Sequence, residues 1–192
     1  MTPDDEGLMA QVRAGDLRKM AILFERHHRS LYNFFVHLNG DRDLSEDLVQ
    51  EVFFRMLRYR ASYDESRKFT AWMYQIARNS NAEKLGQRKG DLRLVASRGE
   101  EEDEYPAEPV SSALGADEML GKRQEISLLK RALRELPDEK REVLVLSRLQ
   151  SMKYEQIAEL LGCEVGAVKV RVFRAIRALG QIYSQLSGEK AS

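Results

Sequence analysis

Basic side chains recur at helical spacing near the C-terminal end of the chain, in the stretch VGAVKVRVFRAIRAL that begins at Val165. The basic residues in this stretch are Lys169, Arg171, Arg174 and Arg177. An arginine guanidinium can fork onto guanine or onto a phosphate, so such a row suits an element that reads duplex DNA. An amphipathic helix with a solvated basic face would show the same pattern, and the basic row alone leaves both interpretations open.

Helical periodicity sorts this stretch into an inner and an outer face. The outer face groups two small or apolar residues with two arginines, namely Ala167, Val170, Arg171 and Arg174. Small residues allow close approach to a groove, and Val170 could touch a thymine methyl group. The inner face is predicted to be core and contains Val165, Val168, Val172, Ala175 or Ile176, and Leu179. The spacing of Ala158, Gly162 and Val168 is typical of a helix-turn-helix unit.

A second candidate surface lies in the front half, where Leu44–Arg58 reads LSEDLVQEVFFRMLR. Its predicted core residues are Leu44, Leu48, Val52, Met56 and Tyr59. The opposite face holds Asp47, Glu51, Phe54 and Arg58, with Gln50 beside them. An outward phenylalanine among charges is a candidate anchor for a protein partner, and the carboxylates could meet basic residues on that partner. A solvated face with one stray aromatic is the alternative.

A third candidate surface is the stretch FTAWMYQIARNSNAEKL, Phe69 to Leu85, which combines aromatic and basic residues. Trp72 and Tyr74 could stack on unpaired nucleobases, while the basic side chains of Arg78, Lys84 and Arg88 could pair with phosphates. Asn79 and Glu83 could read a base that has left the stack. The alternative for the aromatic residues is burial, which we expect for Phe69.

Composition limits the remaining possibilities. The chain has 192 residues, of which 43% are hydrophobic and 32% charged, and its only cysteine is Cys163. The formal net charge of zero hides an asymmetry: residues 1–98 carry +3, residues 99–118 carry −8 and residues 119–192 carry +5. We therefore predict an all-α protein with two small helical domains, residues 1–95 and 119–188, joined by a flexible acidic linker, residues 96–118. No cofactor, metal site or membrane span is expected.

The predicted helices cover residues 8–15, 16–38, 44–59, 68–85, 118–136, 154–161 and 165–184, with another beginning near Pro137. In the second, the expected buried stripe is Ala21, Phe24, His28, Leu31, Phe35 and Leu38. In the helix before Pro137, the expected inward residues are Met119, Ile126, Leu129 and Leu133.

Both ends of the chain resemble known bacterial transcription proteins. The stretch YEQIAELLGCEVGAVKVRVFRAIRAL resembles region 4 of extracytoplasmic-function (ECF) sigma factors of the sigma-70 family, although it also looks like the DNA-binding domain of LuxR-type regulators. The stretch LSEDLVQEVFFRMLR resembles the polymerase-binding helix of the same sigma factors, and FTAWMYQIARNSNAEKL resembles their segment that opens the downstream promoter box. The order of the three stretches favours an ECF sigma factor.

The resemblance implies a transcription initiation factor, not an enzyme. Its implied partners are the RNA polymerase core (clamp coiled coil and flap), promoter DNA in duplex and melted form, and an anti-sigma factor, all in the cytoplasm. The outer face of the Val165–Leu179 stretch would bind the upstream (minus-thirty-five) box. The Leu44–Arg58 surface would bind the polymerase clamp, and the Phe69–Leu85 surface, with Arg88, would bind the downstream (minus-ten) box.

The sequence departs from the family pattern at Glu83, directly after Leu85, and at Ala167 and Val170. The family usually has aspartate at Glu83, arginines directly after Leu85, and threonine and serine at Ala167 and Val170. We therefore expect a shifted upstream-box preference. A stand-alone LuxR-like regulator remains the alternative function. An enzyme is a distant third, because the sequence shows no nucleophile–base set and no phosphate-cradling glycine loop.

Overall fold

The structure is a computed structural model, and it describes residues 3–94 and 116–188. Every regular element in these two ranges is a helix, which confirms the predicted all-α class. Most of the predicted acidic linker, residues 96–115, lies outside the described residues. None of the described helices is long and apolar enough to cross a membrane.

The N-terminal unit contains four α-helices: α1 (Asp5–Arg13), α2 (Lys19–Asn39), α3 (Arg42–Arg58) and α4 (Phe69–Leu94), with a short 3₁₀ turn at Arg60–Ser62. Local sequence sets several of their ends. Asp4 accepts a hydrogen bond from the Gly7 amide at 2.8 Å, and Asp41 accepts one from Leu44 at the same distance, so each aspartate caps a helix. Gly40 ends α2 with a φ of 75°, a left-handed conformation that glycine adopts without strain.

The core of the N-terminal unit forms where α2, α3 and α4 pack together. Leu44, Leu48, Val52 and Met56 are buried as predicted, but Tyr59 is half exposed because α3 ends before it. In α2 the predicted stripe was wrong at Ala21 and Phe24, which are exposed; the buried residues are Met20, Leu23, Leu31, Phe34, Phe35, Val36 and Leu38. The predicted stripe is thus confirmed at Leu31, Phe35 and Leu38, and the inner face is displaced by about one residue only in the first half of α2.

The C-terminal unit contains α5 (Ala116–Glu135), α6 (Asp138–Leu144), α7 (Tyr154–Leu161) and α8 (Val165–Ser187), and α6 continues into a π-helical turn at Val145–Leu149. Leu133 is buried, as predicted. The prediction was wrong for Ile126 and Leu129, which are 43% and 47% exposed, and for Ile176 as the alternative to buried Ala175. The side chain of Met119 lies outside the described part.

The two units pack against each other. Helix α7 lies against α4, while α2 contacts α5, α6 and the π-helical turn. Polar bonds cross this boundary: Arg67 pairs with Glu159 at 2.6 Å, and Gln156 donates to the Thr70 hydroxyl at 3.2 Å. Helix α7, which precedes the basic helix α8, is thereby placed on α4, the helix that carries the aromatic and basic stretch.

Candidate nucleic-acid and protein interface

Helices α7 and α8 form the predicted helix-turn-helix. Gly162 ends α7 in a left-handed conformation with a φ of 61°, and the Cys163 amide donates to the Ala158 carbonyl at 3.0 Å. At the start of α7, Gln156 accepts a hydrogen bond from the Lys153 amide at 3.1 Å. The turn therefore fixes the angle at which α8 leaves α7.

The outer face of α8 is open to solvent. Lys169, Val170, Arg171 and Arg174 are exposed, and Ala167 is half-buried. Val168, Val172 and Ala175 on the opposite side are buried, which confirms the predicted inner face at these positions. The helix thus presents two arginines, a lysine and a small apolar strip on one continuous surface.

Phe173 adds an aromatic ring to the edge of this surface, and sequence reasoning missed it. It is 61% exposed, and the Arg177 guanidinium carbon lies 5.9 Å from the ring centroid. Phe173, Val170 and Arg174 line a shallow depression together with Lys140 of α6. Its exposure could have been predicted from helical periodicity, which places Phe173 between the predicted outer face and the inner face of α8.

Helix α3 carries the predicted protein-binding surface. Asp47, Gln50, Phe54 and Arg58 are exposed, and the Phe54 side chain is among the most exposed large apolar groups, at 59%. Asp47, Gln50, Glu51 and Phe54 line one side of a cleft of about 500 Å³, whose other side is formed by α4 residues that include Glu83 and Lys84. The predicted protein surface and part of the predicted DNA surface therefore share one cleft.

Arg55 lies in the wall of this cleft and joins the two helices. Its Nε donates to Glu51 Oε1 at 2.5 Å, and its Nη2 donates to Glu83 Oε2 at 2.6 Å. Hydrogen bonding to Arg55 lowers the pKa of Glu83, and the two carboxylates raise the pKa of Arg55. Arg55 was absent from the predicted site residues, although its position four residues after Glu51 predicts an ion pair along the helix.

The start of α4 is more buried than a surface that stacks on bases would be. Phe69 is fully buried, as predicted. Trp72 is half-buried, with its ring 5.1 Å from that of Tyr63. Tyr74 is only 3% exposed, its hydroxyl lies 2.8 Å from Ser30 Oγ and donates to Gln150 at 2.9 Å, and burial raises its pKa to about 12.

Arg78 is held by the C-terminal unit. Its Nε and Nη2 donate to the two carboxylate oxygens of Glu142 at 2.6 and 3.2 Å, and its Nη1 donates to the Leu160 carbonyl at 3.2 Å. In this arrangement three of the five guanidinium N–H groups are engaged, all with the C-terminal unit. A contact of Arg78 with DNA through these three groups requires the two units to separate.

The far part of the predicted DNA surface on α4 is open. Asn79, Glu83, Lys84 and Arg88 are exposed. The Asn79 amide oxygen accepts from Gln75 at 3.1 Å, and Arg88 pairs with Asp41 at 2.7 Å. The structure thus separates the seven predicted residues of this surface into an exposed group toward the C-terminal end of α4 and a covered group, Trp72, Tyr74 and Arg78.

Among the described residues, no group of three or more histidine, cysteine or acidic side chains could hold a metal ion.

Comparison with known proteins identifies both units. Residues 23–89 match the family model "Sigma-70 region 2", and residues 126–179 match "Sigma-70, region 4". The chain is 30% identical over 174 residues to the ECF RNA polymerase sigma factor SigW of Bacillus subtilis, covering 88% of this chain and 91% of the relative. It is 26% identical over 189 residues to the RNA polymerase sigma-H factor of Pseudomonas aeruginosa, covering 96% of each.

Two solved structures share the fold. The sigma factor RpoE in complex with the anti-sigma factor NepR, from Bartonella quintana, superposes with a TM-score of 0.68 at 23% identity, covering 84% of this chain and 94% of that chain. CnrH in complex with the cytosolic domain of CnrY gives a TM-score of 0.67 at 24% identity, covering 97% and 99%. The order of the two matched regions and the identity to SigW across most of both chains lead to one conclusion: the chain belongs to the ECF RNA polymerase sigma factors of the sigma-70 family.

Proposed function

We propose that this chain, a transcription initiation factor by its family, binds the RNA polymerase core and directs it to promoters by reading two boxes. The observation that carries the proposal is the exposed Phe54 among carboxylates on α3, in a chain that also presents the basic outer face of α8. A protein-binding surface and a DNA-binding surface in one small chain suit a factor that brings sequence specificity to a separate enzyme, the polymerase.

The α3 surface is assigned to the clamp coiled coil of the polymerase. Phe54 supplies an apolar anchor, and Asp47 and the outer oxygen of Glu51 can pair with basic residues of the coiled coil. A contact with the polymerase flap is assigned to the C-terminal unit. There Ile126, Leu129 and Ile176 line an exposed apolar groove of about 550 Å³ between α5 and α8.

The outer face of α8 is assigned to the major groove of the upstream box. Arg171 and Arg174 can bind guanine or phosphate, Lys169 can pair with phosphate, and Val170 and Ala167 can approach thymine methyl groups. Each bidentate arginine–guanine contact supplies about 1–3 kcal/mol of discrimination against a wrong base.

The outer part of α4 is assigned to the melted downstream box. Lys84 and Arg88 can pair with phosphates, and Asn79 and Glu83 offer hydrogen bonds to an unstacked base. Arg78 and the Tyr74 hydroxyl bond to the C-terminal unit and join this surface only after that unit moves away from α4, whereas Trp72 is half-buried against Tyr63 of the N-terminal unit. Holding both boxes on one polymerase makes two modest contacts specific, since the second contact becomes intramolecular.

We also assign an anti-sigma factor as a partner and the cytoplasm as the location. One protein with this fold was solved with the anti-sigma factor NepR, and another, CnrH, was solved with the cytosolic domain of CnrY. RNA polymerase and promoter DNA, the other proposed partners, define the compartment. The chain forms and breaks no covalent bond in this account; the polymerase supplies the chemistry.

A stand-alone LuxR-like regulator is the second candidate, because the helix-turn-helix alone would serve both functions. DNA footprinting with the chain alone and with added polymerase core separates the two candidates. The sigma-factor proposal predicts that both boxes are protected only when polymerase is present, and that Glu51→Lys abolishes this protection. Protection of duplex DNA by the chain alone, unchanged by Glu51→Lys, would favour the regulator.

A further inference from the structure

Arg55 is shared between two carboxylates that belong to different helices and to different proposed surfaces. Glu51 lies on α3 in the clamp-binding set, and Glu83 lies on α4 in the downstream-box set. The arginine uses a different nitrogen for each, at 2.5 and 2.6 Å, as its planar fork of donors permits. A lysine would have to serve both carboxylates from a single nitrogen, without the planar fork of donors.

The exposure of the three side chains places the arginine at the centre and the carboxylates at the rim. The Arg55 side chain is 23% exposed, whereas those of Glu51 and Glu83 are 43% and 55% exposed. A half-exposed glutamate on a helix surface ordinarily samples several rotamers. The ion pair to Arg55 fixes one rotamer of Glu83 and keeps its carboxylate ionised.

One oxygen of Glu83 remains available for a ligand. Oε2 accepts from Arg55, while Oε1 receives no hydrogen bond from any described residue. An ionised carboxylate oxygen is only an acceptor, so it matches a base that carries an exocyclic amino group, which adenine, cytosine and guanine have and thymine lacks. It repels the carbonyl oxygens O2 and O4 of thymine.

We propose that Arg55 is a positioning residue for promoter reading: it holds Glu83 so that Oε1 accepts a hydrogen bond from the amino group of an unstacked base in the downstream box, which disfavours thymine at that position. This inference rests on the proposed function, and it adds a base class and a residue that sets specificity through another residue. Arg55 also ties this carboxylate to Glu51, so the DNA contact is held from the helix that faces the polymerase.

The test is run-off transcription with polymerase core and a promoter pool that carries every base at each downstream-box position. The variants are Glu83→Gln, Arg55→Gln, the double variant, and Arg55→Lys, which keeps the charge but lacks the fork. We expect Glu83→Gln to reduce the preference for an amino-bearing base over thymine at one position about tenfold. Both single Arg55 variants reduce the preference at the same position, and the double variant shows no further loss.

Arg18→Gln is the matched control. It removes the same charge and breaks an ion pair with Asp16 in the turn before α2, where the Arg18 side chain is 91% exposed. This variant should keep every base preference.

Four outcomes would overturn the inference. Arg55→Gln could lower all transcripts equally, as expected for a residue that only holds α3 and α4 together. It could also leave both the transcript level and the base preference unchanged. Glu83→Gln could keep the preference while wild type still makes promoter-specific transcripts, which would refute the inference and leave the proposed function standing. Absence of promoter-specific transcripts with wild type would refute the proposed function, and this inference with it.

Discussion

The ion pair between Arg78 and Glu142 holds a proposed DNA-binding arginine against the C-terminal unit, and changing Glu142→Gln tests that arrangement. Both side chains are largely covered, with exposures of 26% and 21%. A glutamine can still accept one hydrogen bond, but it loses the charge and the second bond. Since a hydrogen bond to a charged group contributes about 1.5–3 kcal/mol, we expect this change to weaken the contact by about 1–2 kcal/mol.

The weakened contact should appear as tighter binding of single-stranded DNA by the free chain. If Arg78 binds DNA only when the units are apart, the apparent dissociation constant falls as the open fraction rises. A change of about 1.4 kcal/mol corresponds to tenfold. Fluorescence anisotropy with a labelled single-stranded downstream-box oligonucleotide should therefore show about tenfold tighter binding for Glu142→Gln.

The matched control for this prediction is Glu139→Gln. Glu139 is exposed on the same helix, so the variant removes the same charge without touching the Arg78 contact. We expect its affinity to stay within about twofold of wild type, since one exposed charge changes non-specific binding only slightly. Equal affinities for the Glu142→Gln and Glu139→Gln variants would refute the reasoning, because the effect would then be one of net charge alone.

Three further predictions concern the other surfaces. Phe54→Ala should weaken binding to polymerase core about tenfold or more in a fluorescence titration and leave the melting temperature within a few degrees, because the ring is exposed; a large loss of stability would show that the ring serves the fold. Arg171→Ala should cost about 1–3 kcal/mol at one upstream-box position in competition binding of the holoenzyme, whereas a uniform loss over all sequences would reassign it to phosphate. Gly162→Ala should destabilise the chain by about 1–2 kcal/mol in chemical denaturation, because its φ of 61° is left-handed and an added Cβ meets no atom within 4 Å; an unchanged midpoint would contradict this origin of the cost.

Features that depend on local spacing were predictable from the sequence. The 3.6-residue period placed Phe54 on the exposed face of α3 and Val168 on the buried face of α8, and both positions are as predicted. Gly162 marked the turn because few other residues adopt its backbone conformation. The exposed face of α8 follows from the same periodicity.

Contacts between distant parts of the chain were not predictable in this way. Tyr74 and Arg78 fit a row of aromatic and basic residues, yet their partners Gln150 and Glu142 lie 76 and 64 residues further along. A single sequence carries no signal for such pairing. The exposed Ile126 and Leu129 show the same limit, because periodicity finds an apolar face on α5 but does not say which part of it is covered.

The most direct measurement of the central claim is run-off transcription with purified polymerase core on a promoter library, with and without this chain. We expect specific transcripts that require the chain and that disappear with Glu51→Lys or Arg171→Ala. Absence of specific transcripts, while the chain alone shifts duplex promoter DNA, would contradict it.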